Sequence, residues 1–211
     1  YMEKWYDIKD RGTMGSAERE IKEVTILGRK VRWTARGIEY EADMAHREKL
    51  MKAEGLEEDS KIAVGPAVKM DDEREEMDLV ELEEKWEKTE FISSGARLNY
   101  LGQDENDSQY GVKMICQGMS KPSRGGQARI KRAVRYLVGA KRLVWKYGEK
   151  GGDDETVWVD VFVDSDWASG SERKSTSGGA LMVCRSTTRT WANTQGTTAL
   201  SSGCLLYTAD A

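Results

Sequence analysis

The chain has 211 residues, 33% of them charged and 38% hydrophobic, with a formal net charge of −4 and a mean hydropathy of −0.68. That length suits one domain or two small ones, and the composition is polar without demanding disorder throughout. Apolar runs such as Leu181-Met182-Val183-Cys184 fall far short of the ~20 residues a membrane-spanning helix needs, so such a helix is excluded.

In chain order, Tyr1-Met2-Glu3-Lys4-Trp5 lacks the basic-then-apolar pattern of a signal segment, and the missing initial Met suggests a piece of something longer. Residues 23–41 alternate around Gly28-Arg29 and Gly37, which predicts a β-meander. Asp43 is placed as an N-cap for a helix ending at Gly55. His46, the one histidine, lies in that helix and is read as a packed or surface residue; a single imidazole disfavours His-based metal clusters and Ser-His or Cys-His catalysis. Residues 57–70 read as extended, with Pro66 barring a helix interior. Three helices are expected over 93–102, 107–119 and 126–138. In the last, Ile130, Ala133, Val134 and Leu137 form one apolar stripe and Arg129, Arg132 and Arg135 lie off it, facing outward. Leu143, Trp145 and Tyr147 suggest a short strand, and Gly148 to Asp154 a polar break.

The last third is richer in β-formers. Val157, Val159, Val161 and Val163 alternate with Trp158, Asp160 and Phe162 in a strand expected to be covered on part of both faces. Strands at 179–184 and 188–193 follow at hairpin spacing, and a helix is expected from Thr197, capped by Ser201 or Ser202. Cys116, Cys184 and Cys204 are far apart and odd in number, which predicts reduced, buried thiols rather than a disulfide framework or zinc site.

Charge is segregated. Residues 71–90 hold eleven acidic and three basic residues; residues 121–150 hold ten basic and one acidic. The acidic block reads as a solvated helix or linker. The basic block leaves two readings open. It is a contact surface for phosphate backbones, or a helix face that neutralises the acidic block within the molecule. Trp33, Trp145 and Trp191 are likewise either base-stacking platforms or, more commonly for strand tryptophans, core residues.

Four blocks then stand in order: Val163-Asp164-Ser165-Asp166-Trp167-Ala168, Arg173-Lys174-Ser175-Thr176-Ser177-Gly178-Gly179, Thr190-Trp191 with Gln195, and Ala199-Leu200-Ser201-Ser202. They resemble the ribonuclease H region of copia-type LTR retrotransposon Pol polyproteins. Upstream, Tyr100-Leu101, Met119-Ser120-Lys121-Pro122 and the Lys131 to Gly139 segment resemble the connection that joins reverse transcriptase to ribonuclease H. Residues 23–69 resemble the end of the reverse transcriptase.

The resemblance implies an α+β chain: a β-meander plus helices, then the first three antiparallel strands and first helix of a ribonuclease H-like fold, truncated. It divides the sequence into a reverse transcriptase part at 1–70, an acidic helix or linker at 71–92, a basic helical connection at 93–150 and the start of a ribonuclease H-like domain at 155–211. It implies an RNA/DNA hybrid or other nucleic acid as partner, together with the rest of the Pol polyprotein, no membrane, and an intracellular setting, either cytoplasmic within a virus-like particle or nuclear. Arg129, Arg132, Arg135, Arg173, Lys174, Ser175 and Thr176 are the candidate nucleic-acid contacts; for Ser175 and Thr176, turn and cap chemistry is the alternative.

Cleavage in this family relies on two Mg²⁺ ions held by clustered carboxylates against one phosphate. Asp164 matches the first of those carboxylates and is the candidate catalytic and metal-binding residue. Leu206 stands where the family places a second, and the Tyr-x-Asp-Asp motif of the polymerase is absent. In place of the family's Arg-Pro-Asp-Ile, this chain has Glu105-Asn106-Asp107-Ser108. The expectation is a catalytically inactive fragment; the alternatives are a non-catalytic nucleic-acid-binding module using the basic helix, or a relic without a partner.

Overall fold

The computed structural model describes residues 4–68, 71–140, 143–148, 156–167 and 174–196. Arg173, the helix expected from Thr197, and with it Ser201, Ser202, Cys204 and Leu206, lie outside the described residues, as does nearly all of the Gly148–Asp154 break.

The meander forms where the alternation places it, as β1 (Glu23–Ile26), β2 (Arg29–Thr34) and β3 (Gly37–Glu41), all antiparallel. The short strand β4 (Val144–Tyr147) joins its open side, with Tyr40 opposite Trp145, so the sheet order is β1-β2-β3-β4. Sequences from the two ends of the 1–150 region thus share one sheet. Gly37 makes the approach possible: its φ is +113°, and a Cβ there would lie 2.1 Å from the Tyr147 carbonyl oxygen.

Five helices are described. Asp43 caps α1 (Met44–Ala53) by accepting from the Ala45 N–H at 2.9 Å, and Asp71 caps α2 (Asp72–Leu79). The helix expected over 93–102 begins earlier, as α3 (Lys85–Gly102), because Phe91 already packs into the core and the preceding Glu and Lys residues favour helix. A 3₁₀ turn at Asn106–Ser108 leads into α4 (Gln109–Gln117). Ser123 accepts from Gly126 N–H and starts α5 (Arg124–Gly139) two residues before the expected 126.

The core lies between the helices. Leu50 of α1, Phe91, Leu98 and Leu101 of α3, and Val112 and Ile115 of α4 are buried with the expected α5 stripe of Ile130, Ala133, Val134 and Leu137. Each of these side chains larger than alanine contributes roughly 1.5–3 kcal/mol.

A second antiparallel sheet holds β5 (Val159–Asp166), β6 (Thr176–Val183) and β7 (Ser186–Thr194) in that order. The β6–β7 turn places Cys184 and Arg185 at φ of +48° and +65°, the two left-handed positions of a type I′ hairpin, without the Asn or Gly that tolerate them best. Helix α4 holds this sheet: Gln109 Nε2 donates to the Thr190 carbonyl, Gln117 Nε2 to Thr194 Oγ1 at 2.8 Å, and Lys113 Nζ to Thr176 Oγ1. One expectation is corrected. β5 is not partly covered on both faces. Among the described strands it lies at the edge of the sheet, and Val159, Val161, Phe162 and Val163 are all exposed, because α4 meets β6 and β7 instead.

Candidate functional site

The motif blocks of the last third come together across the second sheet. Asp164 pairs with Gly178, and Gly178 with Ala192; Asp166 pairs with Thr176, and Thr176 with Thr194. Because β5 continues to Asp166, Asp160, Asp164 and Asp166 share one face. Asp164 is exposed, and its Oδ1 accepts from the Ser165 N–H at 2.8 Å. Asp164 and Asp166 line one wall of a cleft of about 560 Å³ whose other wall carries Asn106, Asp107 and Tyr110. Burial lowers the pKa of the Lys113 ammonium, and Asp166 opposes that shift. Among the described residues, no group of three or more His, Cys, Asp or Glu side chains gathers in a way that could hold a metal ion. The described residues therefore do not fit a two-Mg²⁺ centre, since two carboxylates on one strand cannot clamp two hard ions against a phosphate.

Ser175 and Thr176 are both buried; Thr176 is held by Lys113, and the Ser175 carbonyl accepts from Gln195 N–H at 2.8 Å. Lys174 is exposed. Thr176 thus ties the sheet to α4, and the Ser175 carbonyl ties the start of β6 to the residue that follows β7.

The basic helix differs from the expectation that its arginines face outward. Arg129, Arg132 and Arg135 are each half-buried. Arg129 forms a two-pronged pair with Asp78, at 2.8 and 2.7 Å, and Arg132 Nε donates to the Ala67 carbonyl at 3.2 Å. Arg124 pairs with buried Glu87 at 2.7 Å. The acidic block is correspondingly docked: Leu82 N–H donates to the Pro122 carbonyl, and Arg124 N–H to that of Val80. Two ion pairs, Arg129–Asp78 and Arg124–Glu87, thus join the basic block to the acidic one, each a guanidinium fork against a carboxylate. Asp78→Ala is expected to lower stability by about 1–2 kcal/mol. The reciprocal exchange Asp78→Arg with Arg129→Asp should recover part of that loss in urea midpoints; no recovery would mean the pair is incidental.

A buried polar cluster around Asp104 was not legible in the sequence. Asp104 is 5% exposed. Its Oδ2 accepts from Arg29 Nε at 2.8 Å, its Oδ1 from Tyr40 Oη at 2.6 Å, and its carbonyl from Trp145 Nε1 at 2.5 Å. Arg29 also lies 4.4 Å over the Tyr100 ring, which in turn sits 4.6 Å from His46. Burial, then the Asp104 carboxylate, push the Tyr40 phenol above its ordinary range, so it stays a donor. Burial likewise raises neighbouring Glu105, which Arg47 at 3.9 Å partly opposes. Trp145 is therefore tied into the fold rather than offered to a base, and Trp191 lies over Gly179.

No helix among the described residues is long and apolar enough to cross a membrane. Over 91 residues the chain is 33% identical to an uncharacterized mitochondrial protein of Arabidopsis thaliana, a stretch covering 43% of this chain and 36% of that protein. The chain thus matches little more than a third of that relative's length. No family model matches the chain, and no solved structure does.

Proposed function

We propose that the chain derives from the reverse transcriptase–ribonuclease H region of a copia-type retrotransposon Pol polyprotein, and that it is a remnant that no longer cuts the RNA strand of an RNA/DNA hybrid. The observation that carries this reading is the second sheet. Blocks separated in sequence become neighbours there, with Asp164, two residues before the end of β5, opposite Gly178 of the Ser-Thr-Ser-Gly-Gly block. The partial likeness to a plant mitochondrial protein is compatible with it. Loss of cleavage is supported by Leu206 standing at a carboxylate position of the family pattern.

The alternative of a nucleic-acid-binding module on α5 has less support, because Arg129 would have to exchange Asp78 for a phosphate. The test is incubation of the purified chain with an end-labelled RNA/DNA hybrid in Mg²⁺ buffer, beside Asp164→Asn. The expected result is no RNA cleavage above the variant. Mg²⁺-dependent cleavage that Asp164→Asn abolishes would overturn the inactive reading.

A further inference from the structure

We propose that the outer edge of β5 is a self-association surface, on which a second copy of this chain pairs its own β5 antiparallel, centred on Val161.

The argument starts from which backbone groups are already used. Cys184 N–H donates to the Trp158 carbonyl at 2.9 Å, so residue 158 turns its backbone groups toward β6. Pairing continues without a register shift from Val159 to Asp166. Alternation then turns the even-numbered residues toward β6 and leaves the N–H and C=O groups of Val159, Val161 and Val163 on the outer edge. The Ser165 N–H agrees with this phase: it also points away from β6, and it is taken by the Asp164 side chain. Among the described strands, β5 pairs with β6 alone.

Such an edge is a template for another strand unless it is short, bulged, or protected by Pro or by charged side chains, and the charges β5 carries, Asp160, Asp164 and Asp166, therefore restrict which strand can pair with it. β5 has eight residues, no bulge, no Pro and no Lys. Its odd-numbered face is apolar, with Val159, Val161 and Val163 between 54% and 57% exposed; the other face carries Phe162, 60% exposed, among Asp160, Asp164 and Asp166, and Trp158 just before the strand is 64% exposed. Val159 and Val161 lie opposite Val183 and Leu181, so a second copy would extend an existing apolar face rather than found a new one.

Charge selects the occupant and the register. An antiparallel ladder must pair odd-numbered residues with odd-numbered ones, since those carry the free groups. Centring on Asp160 sets that residue against itself. Centring on Phe162 sets Asp160 against Asp164, and centring on Val163 sets it against Asp166; like charges directly opposite are destabilising. Centring on Val161 pairs Val161 with Val161 and Val159 with Val163. It sets Asp160 opposite Phe162 and Asp164 opposite Trp158, so no acid faces an acid. It is also the register in which all three edge valines exchange both hydrogen bonds. The strand is thus complementary to itself in one alignment, and two sheets would join into one around a two-fold axis.

Sedimentation velocity of the full chain in reducing buffer tests this. The expected result is a species of twice 23.8 kDa that dissociates on dilution. Val161→Pro removes an N–H that β6 does not use, and proline is tolerated at such edge positions; Val161→Lys places a charge at the two-fold. Both should sediment as monomers with unchanged far-UV circular dichroism. For the register, Val161→Cys should give a 161–161 disulfide on mild oxidation, identified by mass spectrometry, and Val163→Cys should not give a 163–163 bond, because those positions are offset beyond disulfide reach. A wild type that stays monomeric at every concentration would overturn the proposal. So would a dimer that survives both Val161 substitutions, or a spread of larger species with no defined dimer.

Discussion

Replacing Asp104 with alanine is expected to cost about 3–5 kcal/mol, read as a lowered urea midpoint at unchanged slope. The carboxylate receives Arg29 from β2 and Tyr40 from β3, while its own carbonyl receives Trp145 from β4. Three strands of the first sheet therefore converge on one residue just beyond α3. Removing it leaves a guanidinium, 19% exposed at its side chain, without a counter-charge, and a phenol without an acceptor. That is the costly case, in which one partner of a buried pair is deleted and the other remains. Small domains have some 5–15 kcal/mol in all, so much of the stability is at stake. Asp104→Asn keeps the shape and an acceptor for Tyr40 but not the charge, and should lose about half as much. Removing both charges, as Arg29→Met with Asp104→Leu, should restore part of what Asp104→Ala loses. A single alanine variant within experimental error of wild type would show that the sheet is held by its ladder alone.

What was legible in the sequence was periodic. The meander, the α1 cap at Asp43, the α5 stripe and the three late strands all follow from alternation or helical spacing, which local sterics impose whatever the surroundings. What was not legible depends on distance in the chain. Arg29 and Asp104 are 75 residues apart, and nothing in either segment marks them as partners. The one available signal was the pattern of Tyr40 and Trp145, aromatics at alternating positions of two short strands that turn out to face each other. The basic helix shows the same limit. Spacing places Arg129 off the apolar stripe, correctly, but off-stripe means exposed only if nothing else docks there, and the acidic segment does. Of the candidate site, the resemblance ends the first strand at Asp164, and alternation puts Asp164 on one face with Asp166 only if the strand continues, as β5 does to Asp166; that Thr176 would be held by Lys113 of α4 required the packing of α4 on the sheet.

Gly179→Ala is expected to cost about 2–3 kcal/mol and to loosen the second sheet selectively, whereas Gly178→Ala, one residue away, should be nearly silent. A Cβ on Gly179 would lie 2.2 Å from Trp191 Cζ2 and 2.6 Å from the Phe162 carbonyl oxygen. The indole could swing aside, but the carbonyl is part of the β5–β6 ladder and cannot move without shifting the register opposite Val163. A Cβ on Gly178 meets only the Trp191 carbonyl, at 3.7 Å, an ordinary contact. Alanine is otherwise the better strand residue by roughly 0.5–1 kcal/mol, so a loss at 179 has to come from the clash. Amide exchange distinguishes where the loss falls. Protection should drop across β5 to β7 and persist in α3, α4 and α5, whose core at Leu98, Ile115 and Val134 touches neither glycine. Trp191→Ala combined with Gly179→Ala should regain only part of the loss, since it frees the ring side and leaves the Phe162 carbonyl in place. Equal effects at the two glycines would mean that Trp191 does not cover the strand. Unequal effects would give the paired glycines of this motif distinct physical roles, the first opposite Asp164 and free to vary, the second required because a tryptophan and a neighbouring strand leave no room for a side chain.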